Sequence, residues 1–121
     1  MTLESVPILF TVDGTTRHEV ILVSPSHATL PSLSAAMARI AASSPNCGEF
    51  MAHYKKTSAG PPGIEEIRVR WDARSHDPKI FPASTVVTVD NLRAVVEMIG
   101  RSGVGRDTLE VRMAREEAGG K

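Results

Sequence analysis

STVVTVDNLRAVVEMIGRSGVGRDTLEVRMA, residues 84–114, reads as an extended run, a capped helix, a glycine stop and a closing strand. Residues 84–89 are rich in β-branched side chains and follow Pro82, which suits a short strand. Asp90 is the expected N-cap, because its carboxylate can accept from an unpaired amide in the first helical turn. Leu92, Val95, Val96 and Ile99 recur at helical spacing and make one apolar stripe. Gly100 and Gly103 tolerate the left-handed backbone that ends a helix. Leu109, Val111 and Met113 then alternate with Glu110 and Arg112, the pattern of a strand with one buried face. A helix this short has little stability alone in water, so it must share a core with the rest of the chain.

Working outward, residues 7–12 (PILFTV) predict a first strand with Ile8, Phe10 and Val12 on one face. Asp13-Gly14 accepts the positive φ angles of a tight turn, and residues 17–23 (RHEVILV) return as the second strand of a hairpin. Its run at 20–23 is apolar on both faces, so one side is expected to lie under more than a single helix. Thr29 is placed to cap a helix with Pro31 in its first turn, where a missing amide hydrogen costs nothing. Leu30, Leu33, Met37 and Ile40 form the buried stripe of that helix, with alanines between them for close approach to a sheet. Residues 50–56 (FMAHYKK) predict a strand with Phe50, Ala52 and Tyr54 on one face. Residues 57–63 (TSAGPPG) read as a turn or an insertion. Residues 64–72 (IEEIRVRWD) are a strand, with Ile67, Val69 and Trp71 alternating against Arg68 and Arg70. Residues 73–83 are irregular, punctuated by Pro78 and Pro82.

At 121 residues the chain suits one domain. The expected folded core is 7–114, with an insertion or extra hairpin at 44–63 and a flexible tail at 115–121. Fourteen basic residues balance fourteen acidic ones, which argues against a general nucleic-acid or membrane-surface binder. Cys47 stands alone, so no intrachain disulfide can form, which suits a reducing, cytoplasmic setting. No apolar run approaches the ~20 residues that cross a bilayer, and the first residues lack the pattern of a secretory signal.

The element order is ββαβ(β)αβ, an α+β roll with a mixed sheet of four to five strands and two helices. The hairpin with its helix (residues 8–42) resembles the opening of ubiquitin-like β-grasp domains. The closing segment VVTVDNLRAVVEMIGRSGVGRDTLEVRM resembles the end of Phox/Bem-type interaction domains, which place a short strand, an Asp-initiated helix and a last strand in this order. The resemblance covers roughly two-thirds of the chain and rests on pattern rather than on an invariant motif. It implies front-to-back pairing, in which a basic residue on the first strand of one partner meets an acidic loop ahead of the second helix of the other. Here the first strand has no Lys or Arg, and the nearest base is Arg17. The acidic loop is represented by WDARSHDPK, where Asp72 and Asp77 are diluted by Arg74 and Lys79.

The expected function is therefore a non-catalytic protein–protein interaction or self-assembly module, the terminal domain of a larger scaffold or signalling protein. Arg17, Arg68 and Arg70, joined by Arg74, are the candidate basic face, and Asp72 and Asp77 the acidic one. Arginine suits such a face because its guanidinium pairs with carboxylates through two hydrogen bonds. The histidines at 18, 27, 53 and 76 lack the spacing of a helix-borne metal site and read as solvent-facing or structural. The GRSGVG run at 100–105 follows a helix instead of opening one, so it reads as a turn and not a phosphate loop. No cofactor, metal or catalytic set is expected. Two alternatives remain: a ubiquitin-like modifier conjugated through Gly120, and a ferredoxin-like domain binding RNA or a small ligand. The balanced charge and the lack of paired aromatics on a central strand weigh against RNA.

Overall fold

A computed structural model describes residues 5–57, 63–103 and 105–114. The elements in order are β1 (Val6–Val12), β2 (His18–Val23), α1 (Leu30–Ser43), α2 (Gly48–Thr57), β3 (Ile64–Arg70), β4 (Ser84–Val86), α3 (Leu92–Ser102) and β5 (Thr108–Met113). The strands form one mixed sheet in the order β2-β1-β5-β3-β4. The first and last strands lie side by side and parallel at its centre, and the other pairings are antiparallel.

The β1–β2 hairpin follows from two residues. Asp13 and Gly14 take φ angles of 49° and 70°, and Thr15 N–H closes the turn on Val12 C=O at 3.0 Å. Asp13 also ties the turn to the far end of the chain. Its N–H donates to Val111 C=O at 2.8 Å, and its Oδ1 accepts from Met113 N–H at 2.9 Å. Helix α1 starts as its sequence predicts, with Thr29 and Ser32 in a reciprocal capping box and Pro31 in the first turn.

One face of the sheet carries the core. Val6, Ile8, Phe10 and Val12 on β1 lie beside Leu109, Val111 and Met113 on β5 and Ile67 and Val69 on β3, all buried. Over them pack Leu33 and Met37 from α1, Met51 and Tyr54 from α2, and Leu92, Val95, Val96 and Ile99 from α3. Helix α1 lies against β2 and β3 and touches α2, while α3 lies against β1.

The structure corrects four expectations. The predicted strand at 50–56 is helix α2, so the described residues hold three helices. Cys47, Met51 and Tyr54 are all buried, and their spacing of four and three is helical. The alternation of Phe50, Ala52 and Tyr54 pointed the other way. Helix α3 begins after Asn91, not Asp90: Thr88 N–H donates to Asn91 Oδ1 at 2.8 Å and Asn91 N–H to Thr88 Oγ1 at 3.2 Å. Gly100 lies inside α3, and the stop falls on Gly103 at φ 111°. The extended runs are shorter than expected, with β4 ending at Val86 and β3 at Arg70. On β2, Ile21 and Val23 face the core, while Val20 and Leu22 point away from the helices and stay exposed.

Candidate interaction surface

Side chains alternate across a strand, so each strand that buries one set must present the other. The outward set is Pro7, Leu9 and Thr11 on β1, His18, Val20 and Leu22 on β2, Glu66, Arg68 and Arg70 on β3, and Thr108, Glu110 and Arg112 on β5. None of these is buried, so no helix covers this face among the described residues. The face divides by chemistry. Its β2–β1 half is apolar, with Val20 59% and Leu22 69% exposed, an unusual state for large aliphatic side chains on neighbouring positions.

The β5–β3 half is a charge ladder. Register sets Arg68 opposite Glu110 and Glu66 opposite Arg112. Arg68 Nε pairs with Glu66 at 3.0 Å along its own strand, and Arg70 reaches diagonally to Glu110 at 2.8 Å. Arg68 also donates to Ser84 on β4 at 3.4 Å. Among the described residues, no ion pair engages Arg112, which borders a shallow depression with Asp13, Glu66, Arg68 and Glu110. The ladder is close to neutral, because two of its three arginines are already matched.

The other predicted site residues lie elsewhere. Arg17 sits just before β2 and pairs with Glu49 in the first turn of α2, away from Arg68 and Arg70. Asp72 and Asp77 both lie in the connection at 71–83. The Asp72 carboxylate accepts from Ser75 Oγ at 2.5 Å, and this bond, helped by Arg74 N–H and the nearby Arg106 and Arg74 guanidinium groups, holds its pKa below the usual value. Asp77 Oδ1 accepts from Lys79 N–H at 3.0 Å, and its carbonyl accepts from Ile80 and Phe81. Each aspartate thus closes a local turn. Arg74 is exposed in the same connection. Gly120 lies outside the described residues.

That connection is fastened by a pair the sequence reading missed. Asp107, at 2% exposure, precedes β5 and accepts from Asp72 N–H at 2.7 Å. It also meets His76 Nε2 at 3.0 Å. The His76 ring stacks on Phe81 at 4.2 Å, and Trp71 lies edge-on to both rings. Trp71 is 8% exposed and donates from its indole to Thr85 Oγ1 at 2.9 Å, so it is a core residue and not part of a docking face. Ser75 Oγ donates to Asp72 and accepts from Arg106 at 2.9 Å. Chemically, the arrangement pins a loop to the sheet. Residues 76 and 107 lie far apart in sequence, and neither carries a local signal of the contact.

The sheet edge at β2 is partly closed by the chain itself. Glu19 accepts from Ser44 Oγ at 2.6 Å and from Asn46 Nδ2 at 3.1 Å, which holds the α1–α2 connection against the strand. The Ser44 hydroxyl is the largest cause that lowers the Glu19 pKa, followed by Val20 N–H and Asn46. No described helix is long and apolar enough to cross a membrane. No family model, curated protein or solved structure matches the chain.

Proposed function

We propose that this chain is a ubiquitin-like β-grasp domain of the Phox/Bem type, and that it works as a non-catalytic protein–protein interaction or self-assembly module. What supports the fold reading is the order β2-β1-β5-β3-β4 with β1 and β5 parallel at the centre and α1 crossing behind the hairpin. What carries the functional reading is one observation: the helix-free face of the sheet sets exposed Val20 and Leu22 beside Leu9 and Pro7. Burying such a strip gains roughly 25 cal/mol for each Å² of apolar surface removed from water. The ladder at its border supplies orientation more than affinity, since exposed ion pairs contribute little net energy.

On this reading the apolar strip is the docking surface, and Arg112 with the Arg68 and Arg70 pairs selects the partner's orientation. Asp72 and Asp77 act through the shape of the 71–83 connection rather than as a free acidic patch. Light scattering over a range of concentration and salt tests the reading. Mass that grows with concentration, survives high salt and is lost in Val20→Asp supports docking through the apolar strip. Growth that salt abolishes and Val20→Asp leaves intact assigns docking to charge alone. A strict monomer under all conditions removes self-assembly.

A further inference from the structure

The open edge of β2 carries backbone groups that follow a pattern. In an antiparallel ladder the N–H and C=O of one residue point to the same side, and successive residues alternate. Arg17 C=O accepts from Val12 N–H on β1 at 3.1 Å, so odd-numbered residues face β1. His18, Val20, Leu22 and Ser24 therefore face the edge. Three of their groups are already used. His18 C=O accepts from the Cys47 thiol at 3.5 Å, and Val20 N–H donates to Glu19 Oε1 at 3.1 Å. Ser24 C=O accepts from the His27 and Ala28 amides at 3.2 and 2.9 Å. Five groups remain that no described hydrogen bond uses: His18 N–H, Val20 C=O, Leu22 N–H, Leu22 C=O and Ser24 N–H.

We infer that β2 pairs antiparallel with β2 of a second copy of this chain, about a two-fold axis at Leu22. In that register Leu22 faces Leu22, and Val20 faces Ser24. Leu22 N–H donates to Leu22 C=O in both directions, and Ser24 N–H donates to Val20 C=O in both directions. The four free groups of Val20, Leu22 and Ser24 in each copy are then satisfied, and His18 N–H lies outside the paired stretch. The bond the register would otherwise ask for, from Val20 N–H to Ser24 C=O, joins the two groups that each copy has already satisfied internally. Across residues 20–24 the occupied and free groups thus match the symmetry of a two-fold contact, in which the same patch must complement itself.

Charge agrees. The outward positions of β1 and β2 are Pro7, Leu9, Thr11, His18, Val20 and Leu22, so no carboxylate, lysine or arginine opposes its own copy there. Glu19, the one acid on β2, is turned under to Ser44 and Asn46. The strand also lacks the lysine, proline or bulge with which exposed edges usually repel a second strand. Pairing sets Val20 and Leu22 of both copies side by side and joins the two sheets into one. The inference rests on the reading of the β2–β1 half as an association surface and adds which copy, which register and which hydrogen bonds.

Two measurements test it. Hydrogen exchange on the wild-type chain, at low and high concentration, reads the amides directly. The expected result is protection rising with concentration at Leu22 and Ser24, with Val20 unchanged. Leu22→Cys should form a disulfide-linked dimer under mild oxidation, since the other cysteine, Cys47, is buried. Thr11→Cys, one strand further in, should not. If the chain associates but the Leu22 and Ser24 amides gain nothing and Leu22→Cys stays unlinked, the edge pairing is overturned while docking through the sheet face stands. If the chain stays monomeric at every concentration, the edge pairing is overturned together with self-assembly, and docking of a different protein on the sheet face is left standing.

Discussion

The carboxylate of Glu19 accepts a hydrogen bond from the Ser44 hydroxyl at 2.6 Å, and so ties the end of α1 to an edge strand twenty-five positions earlier. Asn46 Nδ2 and Val20 N–H share the same carboxylate at 3.1 Å each. One side chain thus closes the first half of the β2 edge and leaves the second half open.

This bond makes a pH prediction. Hydrogen bonds to the ionised form hold the Glu19 pKa below its usual 4.5 in the folded chain. A carboxylate depressed on folding stabilises the fold above its unfolded pKa, and that contribution is lost as pH falls through the folded value. Glu19→Gln keeps an acceptor but has no carboxylate to titrate. Thermal unfolding followed from neutral pH to below about 4 should therefore show a steeper loss of stability in wild type than in the variant.

The Asp107 carboxylate serves Asp72 N–H and His76 together from a site without solvent. Asp107→Ala leaves a backbone donor and an imidazole without their acceptor, and should cost about 1–3 kcal/mol. Urea unfolding reads the cost. Hydrogen exchange should show the loss concentrated in residues 71–83, with the β1–β2 hairpin little changed.

The two faces of the sheet should answer opposite ways to truncation. Phe10, fully buried against β5, should lose about 3–5 kcal/mol as Phe10→Ala. Leu22→Ala, on the outer face of the neighbouring strand, should stay within about 0.5 kcal/mol of wild type for the isolated chain. Comparing the two denaturation midpoints checks the assignment of the faces.

Thr29 bonds Ser32 N–H at 3.2 Å, and Ser32 Oγ returns a bond from Thr29 N–H at 3.0 Å. Thr29→Ala should destabilise the chain by about 1 kcal/mol, and Thr29→Asp should retain the cap. Chemical denaturation of the two variants separates them.

Features governed by near neighbours were legible in the sequence. Asp13-Gly14 announces its turn, Thr29 with Pro31 behind it the start of its helix, and Leu109, Val111 and Met113 their shared face. Where two local patterns compete, the reading failed. FMAHYKK alternates like a strand, yet Met51 and Tyr54 are placed with Cys47 by helical spacing, and burial under α1 decides for the helix. At Asp90-Asn91 both residues can cap, yet α3 begins after Asn91 without a side-chain cap bond, and the reciprocal bonds of Thr88 and Asn91 hold the turn ahead of it. The candidate site was half visible. Arg68 and Arg70 share a face as expected, but their neutralisation depends on Glu110 from β5 and on Glu66, and cross-strand register is not written in either segment alone. The exposure of Val20 and Leu22 depends on which side of the sheet the helices take.

The central claim is that the helix-free face of the sheet, at its β2–β1 half, is where this chain docks. A map of amide chemical shifts of the wild-type protein against its own concentration tests it most directly. Changes are expected at Leu9, Val20 and Leu22, with the exposed positions of α3 unmoved. Shifts confined to α3 or to residues 71–83, with the outer face of β1 and β2 silent, would contradict it.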